Sequence, residues 1–86
     1  MKVIYTKSFL KAASLLPIPI QNKLDELLAI IAENPFHPLL HSKPLVGKLH
    51  DAHSFRITRD WRAIFVFETE DTIRLVTLGH RKEIYR

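Results

Sequence analysis

Apolar residues recur along this chain in two rhythms, and the change of rhythm divides it. Val3, Ile4 and Tyr5 open it as a short strand over 2–5. Thr6 stands where it can cap a helix over about 7–16, whose apolar positions Phe9, Leu10, Ala13 and Leu16 fall at helical spacing. Pro17 and Pro19 stop that helix, because proline lacks the amide hydrogen and restricts the residue before it. A second helix is predicted over about 20–33. Ile20, Leu24, Leu27, Leu28 and Ile31 share its inner side, and Lys23, Asp25, Glu26 and Glu33 line the outer one. Asn34 and Pro35 end it. So short a link predicts an antiparallel helix hairpin.

From 35 to 51 the periodicity is lost, and Pro38 and Pro44 keep the backbone irregular. The rhythm then shortens to two. Residues 54–67 and 72–79 are rich in Phe, Ile, Val, Thr and Trp, with breaks at Arg59-Asp60 and Glu70-Asp71. That pattern predicts a three-stranded antiparallel meander. The whole is an α+β fold: a short N-terminal strand, a helix hairpin and a meander, with the helices on one face of the sheet. With 86 residues there is material for one core, so 1–86 is read as a single domain.

Alternation also fixes the faces. Phe55, Ile57, Trp61, Ala63, Phe65 and Phe67 all share one side if the first turn has three residues, Thr58, Arg59 and Asp60. A two-residue turn would swap one strand's faces. In this register Arg56 lies opposite Arg62, on the side away from the helices. A two-residue turn at Glu70-Asp71 pairs Phe65 with Val76 and Ala63 with Leu78. It sends Ile73, Leu75, Thr77 and Arg81 to the arginine side and leaves Arg74 at the edge of the core face. Ile64, Val66, Ile73 and Leu75 would then be exposed and suit the docking of a partner protein, unless the N-terminal strand or the C-terminus covers them. Trp61, by its parity, belongs to the core.

Charge strengthens one reading of that face. The chain carries 13 Lys and Arg against 9 Asp and Glu, a formal excess of +4. Such an excess favours a polyanion as partner. Arg56, Arg62 and Arg81 present planar forks of donors that suit phosphate oxygens in binding and in a charged transition state. The plain alternative is a solvated arginine face. There is no cysteine, so disulfides and thiolate metal sites are excluded. His37 and His41 have a spacing that binds metal on a helix, but Pro35 and Pro38 interrupt any helix there and no carboxylate completes a set. No metal and no cofactor are expected. No apolar run approaches a membrane span, the first residues do not read as a signal peptide, and the expected location is the cytoplasm.

Three short motifs bring a family into view. They are Pro44-Leu45-Val46-Gly47-Lys48-Leu49, then the run from Ser54 through Arg56, Trp61 and Arg62 to Phe65, and finally Gly79-His80-Arg81-Lys82-Glu83-Ile84-Tyr85. In order and spacing they resemble the RelE/ParE toxins of type II toxin–antitoxin systems, over essentially the whole chain. The resemblance implies a mRNA interferase, an endoribonuclease that cuts mRNA on the ribosome by metal-independent attack of the ribose 2′-OH on the adjacent phosphate. It also implies an antitoxin that neutralises it. Arg56 matches the basic residue of the first hairpin strand, Arg62 the arginine after the aromatic, Arg81 the arginine after the last strand, and Tyr85 the C-terminal tyrosine. Where some relatives carry a glutamate used as a base, this chain has Lys43.

The expected catalytic set is therefore Arg62 and Arg81 with Tyr85 or His80 as the proton-transfer group; phosphate binding falls to Arg56, Lys48 and Lys43. An arginine does not readily give up a proton, so the arginines take electrostatic roles. His80 has the suitable intrinsic pKa, although parity aims it at the core face unless Gly79 redirects the chain. Tyr85 needs cationic neighbours to act as a base, and Arg62 and Arg81 could supply them. Both residues also have structural readings, a capping histidine and a tyrosine packed on the sheet. Two alternatives share the fold: a ParE-like inhibitor of DNA gyrase that cuts nothing, and an inactive homologue that only binds its antitoxin.

Overall fold

In the computed structural model, which describes residues 1–46 and 51–84, Lys2–Tyr5 forms strand β1. Thr6 follows in extended backbone and caps helix α1, Lys7–Ser14, its Oγ1 accepting from the Phe9 amide at 3.0 Å. The same hydroxyl donates to the Val76 carbonyl at 2.8 Å, so the cap also ties the helix to the sheet. Helix α2 runs Ile18–Glu33 and starts earlier than expected. Pro19 does not block it, because in the first turn an amide has no intrahelical partner to lose. Gln21 closes the link between the helices by donating to the Leu16 carbonyl at 2.8 Å. Asn34 ends α2, its Oδ1 accepting from the Phe36 amide.

The stretch expected to be irregular holds a 3-10 turn at Pro38–Leu40 and a two-residue strand, β2, at Lys43–Pro44. His37 and His41 bracket that turn. His37 Nδ1 accepts from the Leu39 amide at 3.1 Å, and His41 adopts a left-handed φ of 49°.

Strands β3 (Ala52–Arg56), β4 (Trp61–Thr69) and β5 (Thr72–His80) form the expected meander. It is the centre of a five-stranded sheet of order β1-β5-β4-β3-β2. β1 adds parallel to β5 at one edge and β2 adds antiparallel to β3 at the other. A short helix, α3, Arg81–Ile84, follows β5. The helices and one face of the sheet enclose a core that includes Phe9, Leu24, Leu27, Ile31, Phe55 and Phe65. Trp61 packs half-buried at its margin.

The β3–β4 register is the expected one. Phe55 faces Ala63, Arg56 faces Arg62, and the Ile57 amide bonds to the Trp61 carbonyl at 2.9 Å across a three-residue loop. The β4–β5 register departs from expectation. Ala63 faces Leu78 as foreseen and Ile64 faces Thr77, but Phe65 faces Leu75 instead of Val76. Val76 is the extra residue of a bulge. One extra residue inverts the parity beyond it. Ile73 and Leu75, expected on the arginine side, are therefore fully buried in the main core, and Arg74 stands opposite Val66 on the other face. Ile64 and Val66 do lie away from the helices, yet they are buried with Ala52 in a second small cluster covered by Leu45, Val76 and Ile84. The open apolar surface expected at these four residues is closed among the described residues.

Candidate nucleic-acid interface

Register builds the site. Arg56 lies opposite Arg62, and Arg62 opposite Gly79. Ser54 shares the face of Arg56, two residues away, and Lys43 lies opposite Ser54. Lys43, Arg56 and Arg62 thus occupy one end of the face turned away from the helices, since Phe55 and Ala63 beside them point into the core. Cations set directly opposite one another repel. An anion between them removes that penalty. Gly79 completes the row without a side chain, and a Cβ there would lie 3.7 Å from the Ile84 Cβ. That is ordinary contact, so α3 packs over β5 beside Arg62 with room for a methyl at this position.

The loop 58–60 anchors two of the arginines. Arg62 is half-buried and its guanidinium donates to the Thr58 carbonyl and, at 3.3 Å, to the Trp61 carbonyl. Arg81 opens α3. Its amide donates to the Asp60 carbonyl at 2.7 Å, and its Nε lies 3.4 Å from Asp60 Oδ1. Strand parity does not place Arg81, which lies beyond the last strand; this loop contact does. The sequence marks Asp60 only as a turn residue, and no alternation or spacing signals an ion pair made beyond a strand end.

His80 is not brought to the arginines. It faces Trp61 across the sheet, on the side opposite Arg62, with the two rings edge to face at 5.7 Å. Its Nδ1 accepts from the Lys82 amide at 3.2 Å, so it caps α3. Arg74 is occupied by an ion pair with Glu68. Lys48 and Tyr85 lie outside the described residues. No group of three His, Asp or Glu among the described residues is placed to hold a metal ion, and no described helix is long and apolar enough to cross a membrane.

No family profile matches the chain, and no curated protein matches it. Solved structures do. YafQ from E. coli strain BL21(DE3) superposes with a TM-score of 0.81 at 20% identity, over 99% of this chain and 98% of that one. RelE from the RelB–RelE antitoxin–toxin complex of Methanococcus jannaschii gives 0.79 at 22% identity, over 95% and 94% of the two chains. The fold is that of the RelE-type toxins. The YoeB/ParE toxin from Agrobacterium tumefaciens shares this RelE-type fold, with a TM-score of 0.79 at 20% identity over 94% of this chain and 99% of that one. In the RelE-type frame of this chain, the cationic row lies at the end of the central hairpin, where β3, β4 and α3 meet.

Proposed function

We propose that the chain is a RelE/ParE-superfamily toxin of a type II toxin–antitoxin pair, acting in the cytoplasm as an endoribonuclease on mRNA in the ribosome. The observation that carries the reading is the juxtaposition of Arg56, Arg62 and Lys43 on one sheet end, with Arg81 held to the adjoining loop. Cations so placed suit a phosphodiester, whose non-bridging oxygens gain charge as the fifth bond to phosphorus forms. In the proposed reaction the ribose 2′-oxygen attacks the adjacent phosphorus, the bond to the 5′-oxygen of the next nucleotide breaks, that oxygen takes a proton from water and leaves as a 5′-hydroxyl, and a 2′,3′-cyclic phosphate remains. Arg62 and Arg81 stabilise the charge; Arg56, Lys43 and Lys48 hold the flanking backbone. The 2′-OH proton needs an acceptor. His80 is turned to Trp61 and engaged by the Lys82 amide, so we assign the acceptor role to Tyr85. An antitoxin partner is proposed on the same footing: YafQ and RelE were crystallised with DinJ and RelB.

The test is brief expression in a bacterial translation extract, with message ends mapped by primer extension. New cuts in translated mRNA are expected, reduced about 10²- to 10³-fold in Arg62→Ala and in Arg81→Ala, the range for removing one transition-state donor. Tyr85→Phe is expected to fall further than His80→Gln. Intact message would sink the proposal, and inhibited gyrase supercoiling would replace it with the ParE-like reading.

A further inference from the structure

Asp60 has no part in the chemistry above, yet it touches the site twice. Its carbonyl takes the Arg81 amide at 2.7 Å and its carboxylate lies 3.4 Å from Arg81 Nε. Two residues earlier in the same loop, the Thr58 carbonyl takes the Arg62 guanidinium. One short loop therefore holds both arginines. The ion pair is a poor source of stability, since both side chains are close to half exposed, at 42% and 52%. The backbone bond already fixes where the two residues meet. What the carboxylate adds is orientation. A guanidinium carries five N–H donors in one plane. A carboxylate paired on the Nε side, here at 3.4 Å, draws that edge of the plane toward itself and leaves the two terminal nitrogens for the forked contact a phosphate prefers.

We infer that Asp60 is a positioning residue for Arg81, aiming its terminal nitrogens at the scissile phosphate. The inference rests on the RNA-cleaving reading of Arg81. Removing a carboxylate beside a polyanion site has, by charge alone, the opposite effect: it strengthens binding. The sign of the change thus separates positioning from simple repulsion.

The experiment compares Asp60→Ala, Asp60→Asn, Arg81→Ala and the Asp60→Ala/Arg81→Ala double variant of the full chain, each checked for an unchanged melting temperature. Cleavage of translated mRNA is expected to drop about tenfold in Asp60→Ala, as for a misplaced catalytic group. Asp60→Asn keeps an oxygen of the same reach beside Nε and should retain most of the rate. In the Arg81→Ala background the loss of Asp60 should cost nothing further. A faster Asp60→Ala variant, an Asn variant no better than Ala, or independent losses in the double variant each overturn the inference. A second readout does not depend on cleavage: the Arg81 Nε–H nitrogen-15 resonance should be protected from exchange in the wild type and in Asp60→Asn, and labile in Asp60→Ala. If that signal is equally labile in wild type and Asp60→Ala, the inference fails whatever the activity. An inactive wild type with the protected signal sinks the nuclease reading alone and leaves the orientation of Arg81 by Asp60 standing.

Discussion

Thr6 holds two elements through one hydroxyl. It accepts from the first turn of α1 and donates to the carbonyl of the bulged Val76. Thr6→Ala removes both bonds at once, and a capping loss of about 1–2 kcal/mol is expected. Equilibrium urea unfolding should show a lower midpoint with an unchanged slope. Thr6→Ser, which keeps the oxygen, should restore most of it. The cap was legible in the sequence because a hydroxyl between a strand and an amphipathic run has few other uses; its bond to β5 was not. The same split runs through the site. The Arg56–Arg62 pair followed from parity once the loop length was set by the shared face of Phe55 and Trp61. Arg81 and His80 escape parity for opposite reasons. Arg81 sits past the strand, where Asp60 decides its place, whereas His80 keeps its strand parity and stays with Trp61.

Among the elements, β5 departs most from the alternation in its sequence. Leu75 and Val76 are both apolar, so the run gives no hint of where its phase changes. The bulge at Val76 sends Ile73 and Leu75 to the helices while Thr77 and Gly79 stay with Arg62. Both demands cannot be met by an unbroken strand. Deleting Val76 forces a choice between them: either Ile73 and Leu75 turn outward, or Leu78 does. We expect the deletion variant to lose its cooperative thermal transition and to bind a hydrophobic dye, measured by scanning calorimetry and fluorescence. α1 and α2 were legible to within about two residues at each end, whereas the single turn of α3 carries no periodicity to read. β1 and β2 found their edges without a sequence signal, because the choice of neighbour rests on backbone pairing, which side chains encode weakly.

At the scale of the molecule, charge is distributed as the fold requires. Cations gather at the β3–β4 loop end, whereas Asp51, Glu68 and Glu70 line an open cleft at the other end of the hairpin. Under the proposed function, RNA affinity should fall steeply with salt. Arg56→Ala should reduce the slope of log affinity against log salt by about 0.7, one single-strand phosphate contact, measured by titration of a short RNA at several ionic strengths. Topology has its own result. Lys2 in β1 pairs with Thr72 in β5, so the first strand made waits for a partner 70 residues downstream. At ordinary rates of synthesis that wait is roughly 4 to 14 seconds. Through that interval β1 has no partner, because β5, the strand between β1 and the rest, does not yet exist. A chain interrupted before Thr72 has neither a completed core nor a place for Arg81. Truncation anywhere before β5 thus leaves β1 unpaired and the core open, so the fold closes only once β5 has been made.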